Sequence, residues 1–155
     1  MASVTPKLTL GIHPQSLSIH RFTPIAHNIS LAAGLLATAS QPTYAPLASL
    51  TITSDEVSVI LPSSLALPSG ESHGAPQGEI KTEGDWIAVQ VAGTLDFALV
   101  GILAYLTAPL KEAGVSVFCV STYDTDWILI KEDKVEEAKA AWERVGCKVV
   151  DAQSL

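Results

Sequence analysis

The chain has 155 residues, 48% hydrophobic and only 16% charged, which is enough apolar surface for one packed domain or two small ones and too much for a disordered chain. Sixteen acids against nine bases give a net charge of −7, and no basic cluster occurs. Nucleic acid is therefore not an expected partner, and neither is an anionic membrane surface.

In chain order, LTLGIH (8–13) and SLSIHRF (16–22) alternate apolar residues with period two and read as two strands broken at Pro14. Asn28-Ile29-Ser30 matches a glycosylation sequon and is taken as accidental. Residues 30–40 are small and apolar enough for a short helix, and QPTYAP (41–46) marks a loop. SLTITSDEVSVILP (49–62) reads as two strands around Ser54-Asp55-Glu56. Residues 63–84 are rich in Ser, Gly and Pro and read as a linker, with 70–80 expected to be mobile.

The second half is more regular. WIAVQVA (86–92) predicts a strand. Asp96 is placed to cap a helix that runs to Gly114, with Val100, Leu103, Leu106 and Leu110 on one face and Pro109 as a kink point. VSVFCVST (115–122) and DWILIKE (126–132) are two more strands. Asp133 and Glu136 have the spacing of a capping box for a second helix, which Gly146 stops before a last strand, CKVVDA (147–152). Strand, helix, strand, strand, helix, strand is the βαββαβ order of an α+β, ferredoxin-like fold. Residues 116–120 and 127–130 are apolar on both faces, so the sheet needs a further layer beyond its helices.

The stretches 29–39 and 96–110 are too short to cross a bilayer, which takes about 20 apolar residues, and the chain reads as cytoplasmic. Cys119 and Cys147 are expected to be buried, reduced thiols. The four histidines are scattered without metal-ligand spacing, so no metal is expected. Asp124 and Asp126 form a D-x-D pair. Without a glycine-rich phosphate loop, a metal-dependent transferase is disfavoured. Turn formation accounts for Asp124. Asp126 opens an apolar strand, where an unpaired charge is costly. No nucleophile–base motif is present, and no catalysis or cofactor is expected.

GILAYLTAPLKEAGVSVFCVSTYDTDWILIKED (101–133), a glycine opening a helix followed by an A-G-V-S-V turn into a strand, resembles the ACT domain. The phrase STYDTDWILI is similar to one characteristic of the CASTOR-type ACT family of amino-acid sensors, and LASLTITSDEVSVILP and LTLGIHPQSLSIHRF are also similar. The resemblance implies two ACT-like units in tandem, an irregular one with its linker over 1–80 and a regular one over 81–155. It also implies a non-catalytic regulatory module that holds an amino acid at an interface between units, as a homodimer, with a regulatory protein as a possible further partner. The positions it maps to ligand contact are Ser116, Val117, Thr122, Tyr123, Thr125 and Asp126, and the helix entrance Gly93–Leu99, which includes Leu95, Asp96 and Phe97. Arginine-sensing relatives carry an acid where this chain has Leu99. The residue chemistry agrees with such a site: helix N–H groups near Leu95–Phe97 suit a carboxylate, Asp126 suits an ammonium, Tyr123 and Trp127 offer apolar or cation–π faces, and Ser116 and Thr122 offer neutral hydrogen bonds. The alternative is an interaction or dimerisation module whose pocket is filled over.

Overall fold

The computed structural model describes residues 7–39, 45–70, 74–95 and 100–155. Its elements are β1 (Thr9–Phe22), α1 (Ala26–Ala39), β2 (Ser49–Ile52), β3 (Val57–Pro62), β4 (Ile80–Val91), α2 (Ile102–Glu112), β5 (Val117–Ser121), β6 (Asp126–Lys131), α3 (Val135–Arg144) and β7 (Lys148–Asp151). They form two compact units, one of Gln15–Trp86 and one of Met1–Pro14 with Ile87–Leu155.

In the Gln15–Trp86 unit the strand order is β2-β3-β1-β4. This is the ferredoxin-like order, and among the described residues no second helix lies between β3 and β4. Phe22, Val57, Val59 and Leu61 pack with Ala32 and Ala39 of α1 into a core. The β2–β3 turn is closed by Thr53, whose hydroxyl accepts the backbone N–H groups of Asp55 and Glu56, both at 3.1 Å. Residues 74–80 are not the free linker expected from composition. Asn28, fully buried, donates to the carbonyls of Thr23 and Gln77 and accepts the Gln77 N–H. His27 Nε2 lies 2.8 Å from the Ala75 carbonyl. Residues 71–73 of the expected mobile stretch, and 41–44 of the expected loop, lie outside the described residues.

The other unit holds the predicted βαββαβ order from β4 to β7. Strands β5 and β6 pair antiparallel, with Val117 opposite Ile130 and Ser121 opposite Asp126. The first part of β1 joins this sheet as a fifth strand. It pairs parallel with β7, Thr9 opposite Lys148 to Ile12 opposite Asp151, and neighbours β4. Leu10 of β1, Val89, Val91, Ile128 and Ile130 meet Ile102, Leu106 and Leu110 of α2 and Ala138, Ala141 and Trp142 of α3 in one core. The Trp142 indole N–H donates to the Leu106 carbonyl at 2.9 Å, which satisfies the one polar group of a fully buried ring. Gly11 admits the close approach of Leu155, whose side chain occupies the place a Cβ would take.

Several sequence expectations are corrected. Pro14 does not end a strand; β1 runs through it. Pro14 is exposed, and on the edge that pairs first β7 and then β3 it falls in the gap between the two ladders, which end at Ile12 and begin at Leu17, so its missing N–H breaks neither of them. β4 starts at Ile80, six residues before the expected strand. Asp133 and Glu136 form no capping box. Glu132–Lys134 makes a 3₁₀ turn, so the N-cap of α3 is Lys134, without a side-chain cap, and Glu136 and Glu137 sit in the first turn, where the helix dipole favours acids. Cys119 is exposed rather than buried, because it lies on the edge strand β5; Cys147 is buried as expected. Helix α2 begins at Ile102, not after Asp96. Asp96, Phe97 and the rest of 96–99 lie outside the described residues.

Candidate functional site

Two local structures build the site, and both belong to the Ile87–Leu155 part of the chain. The first is the start of α2. Gly101 is its N-cap, with φ 83° and ψ 12°, the left-handed conformation that glycine adopts without steric cost. The first intrahelical bond runs from the Tyr105 N–H to the Gly101 carbonyl, 2.8 Å. The N–H groups of Ile102, Leu103 and Ala104 therefore have no acceptor within the helix. No side chain caps this end and no acid sits in the first turn. Such an end carries roughly half a positive elementary charge.

The second structure is the β5–β6 corner, Thr122–Thr125. The Thr122 N–H and hydroxyl both donate to the Thr125 carbonyl, each at 2.9 Å. The corner is held to its surroundings at two points. The Thr125 hydroxyl, in a residue only 6% exposed, donates to the Val91 carbonyl at 2.7 Å. The Leu95 N–H donates to the Asp124 carbonyl at 2.7 Å. At its base the Ser121 hydroxyl donates to Asp126 Oδ1 at 2.6 Å, across the hairpin pair that closes β5 on β6.

The helix start and the corner face a shared cavity of about 330 Å³ lined by Leu95, Gly101–Ala104 and Ser121–Asp126. That volume suits a small polar metabolite. Asp126, half-buried, is one of the lining residues, and one of its carboxylate oxygens is held by Ser121. Burial, with the Asp126 carboxylate as a second cause, raises the pKa of the neighbouring Cys119 thiol above the usual value, which disfavours its thiolate.

Of the residues singled out from sequence, Leu95, Thr122, Tyr123, Thr125 and Asp126 meet at this cavity. Several of their polar groups are already engaged: the Leu95 N–H, the Thr122 N–H and hydroxyl, the Thr125 hydroxyl and one oxygen of Asp126. Tyr123 is 80% exposed at the rim. Ser116 and Val117 are not among the lining residues. Ser116 is exposed ahead of β5, and Val117, at the end of β5 away from the corner, packs against the core. Asp124 lies at the exposed tip of the corner and Asp126 inside the strand, so the tight turn separates two acids that a regular strand would place on one side. Sequence reasoning missed Ser121 and the donors of Ile102–Ala104. The glycine before I-L-A-Y was the available signal for the second.

Residues 81–143 match the family model of the ACT domain. Protein Atu0741 from Agobacterium tumefaciens has a similar structure, with 22% identity and a TM-score of 0.68 over 94% of this chain and 93% of that one. The ligand-free regulatory subunit of aspartate kinase from Thermus thermophilus is similar at 11% identity and a TM-score of 0.61, over 90% and 99%. A Vibrio cholerae protein of unknown function, VC0802, gives 12% and 0.59 over 90% and 91%. No curated protein matches the sequence. The fold is the ferredoxin-like ACT fold.

Proposed function

We propose that this ACT-fold protein is a non-catalytic regulatory sensor that binds a free amino acid in the cavity between the α2 N-terminus and the β5–β6 corner. One observation carries the reading. The uncapped helix start and the Asp126 carboxylate line a single cavity of amino-acid size. A zwitterion needs donors for its carboxylate and an anion for its ammonium, and residues of both kinds line this cavity. The carboxylate takes the N–H groups of Ile102–Ala104, the ammonium takes the second oxygen of Asp126, and Thr122 and Tyr123 bound the rim. Nothing in this arrangement activates a nucleophile or moves a proton. The regulatory subunits of aspartate kinase, which share the fold, support the regulatory part of the reading.

The finer features follow the resemblance to CASTOR-type sensors: a cytoplasmic homodimer that reports its ligand to a protein partner. Strand β5 is an edge strand without a charged side chain. Such an edge is open to pairing with a second copy, and Ser116 and Val117 of that copy would then close the site. The test is a thermal-shift screen of the twenty amino acids, followed by calorimetry on Asp126→Asn. A ligand that binds only the native state raises Tm. Loss of the charge-assisted bond costs about 1.5–3 kcal/mol, a tenfold to hundredfold loss in affinity. If no amino acid binds at 10 mM (roughly 3 kcal/mol of affinity at most), the fold serves as an interaction module instead.

A further inference from the structure

We infer that the cavity discriminates by ligand charge: it takes an amino acid with a neutral or cationic side chain and rejects dicarboxylic amino acids. The inference rests on the amino-acid reading above and extends it. The charges around the cavity are one-sided. The residues that line it, Leu95, Gly101–Ala104 and Ser121–Asp126, include two acids, Asp124 and Asp126, and no Lys, Arg or His. The nearest bases in sequence are Lys81, Lys111 and Lys131. Lys111 is in the last turn of α2, about 15 Å along the helix from the cavity end. Lys131 ends β6, roughly 17 Å along the strand from Asp126.

Among the lining residues, positive potential therefore comes from the N–H groups that open α2, and a single carboxylate occupies them. A second carboxylate on the ligand would have no donor group of opposite charge to meet. It would also lie in the field of Asp124 at the exposed corner, and of Asp126 if the ammonium did not fully neutralise it. A neutral side chain meets no such cost and can rest on Leu95, Leu103 and Ala104. A cationic one gains Asp124. Exclusion thus needs no steric barrier; the cavity's own sign supplies it.

Calorimetry on the full chain at low ionic strength tests this with ligands of similar length: lysine, glutamine, methionine and glutamate, with asparagine and aspartate as a second isosteric pair. The expected result is that glutamate and aspartate bind at least about tenfold more weakly than the best of the others. The gap should narrow in roughly 0.5 M salt, which screens exposed charges beyond a few ångströms. Asp124→Lys changes an exposed tip whose fixed contact is through the backbone carbonyl, so the corner is retained. It should bring glutamate to within about threefold of glutamine. Glutamate or aspartate binding the parent within threefold of the best ligand overturns the charge rule and leaves the amino-acid reading standing. If neither these six nor any other of the twenty amino acids binds, the reading of the site falls, and the charge rule with it.

Discussion

Asp124 and Asp126 are two residues apart and sit in separate settings, Asp124 exposed in the turn and Asp126 half-buried at the start of β6. Local chemistry made that division legible, since Asp favours turn tips and an acid at a strand mouth needs a partner. Asn28 was not legible. It reads as part of a sequon, yet it is fully buried and holds Gln77, 49 residues away, through two hydrogen bonds. No local pattern reports a contact at that separation. Asn28→Ala should destabilise the protein by about 3 kcal/mol, through lost bonds and stranded partners. Urea unfolding should show this as a lower midpoint with an unchanged slope. His20 gives a second test. It is 5% exposed, with Nδ1 on the Thr82 hydroxyl at 2.9 Å and Nε2 without a partner among the described residues. Burial lowers its pKa from the ordinary 6.5. The unfolded chain therefore takes up this proton first as pH falls, so stability is full above about pH 6.5 and declines below it until the folded-state pKa is passed. Thermal melts from pH 7.5 to 5 should show that decline, and His20→Gln should flatten it.

The two helices of the Ile87–Leu155 part of the chain end more predictably than they begin. Each stop is a glycine with positive φ, Gly114 at 68° and Gly146 at 92°. In each case the glycine N–H and the next N–H bond back to the last turn: Gly114 to Lys111 and Val115 to Leu110, Gly146 to Glu143 and Cys147 to Trp142. These are Schellman caps, set by local sequence and therefore readable from it. The starts depend on what precedes the helix. A 3₁₀ turn displaces the Asp133 box, and a left-handed Gly101 opens α2 where Asp96 had the better capping chemistry. Both glycine stops have open space around the missing Cβ, so alanine there costs backbone strain alone. Gly114→Ala and Gly146→Ala should each lose about 1 kcal/mol. Gly34 is the opposite case, helical and equally open. Gly34→Ala should gain up to about 1 kcal/mol. Guanidinium unfolding of the three variants should give these opposite signs.

At the scale of the whole molecule, β1 is the element that sequence periodicity could not assign. It reads as two short strands, and it is one strand that supplies Thr9–Pro14 to one compact unit and Gln15–Phe22 to the other. The βαββαβ order over β4 to β7 is readable because each element follows its neighbour in the chain. The fifth strand is not, because its partner β7 lies some 140 residues away. This has a consequence for residues 81–155, the stretch that holds the whole ACT-like order. Without Thr9–Ile12, β7 loses its four-residue ladder and the core loses Leu10, which is fully buried. Removing a buried leucine side chain alone costs about 3 kcal/mol, and the orphaned strand adds to that. Domain stability as a whole is about 5–15 kcal/mol. A fragment of residues 81–155 should therefore lack a stable native core. Its near-ultraviolet circular dichroism, which reports the packing of Trp86, Trp127 and Trp142, should be weak, and its amide resonances poorly dispersed. Leu10→Ala in the full chain should keep the native spectrum and lose about 3 kcal/mol. A fragment with the dispersed spectrum and melting transition of the full chain would show that β4–β7 fold independently and that β1 only decorates them.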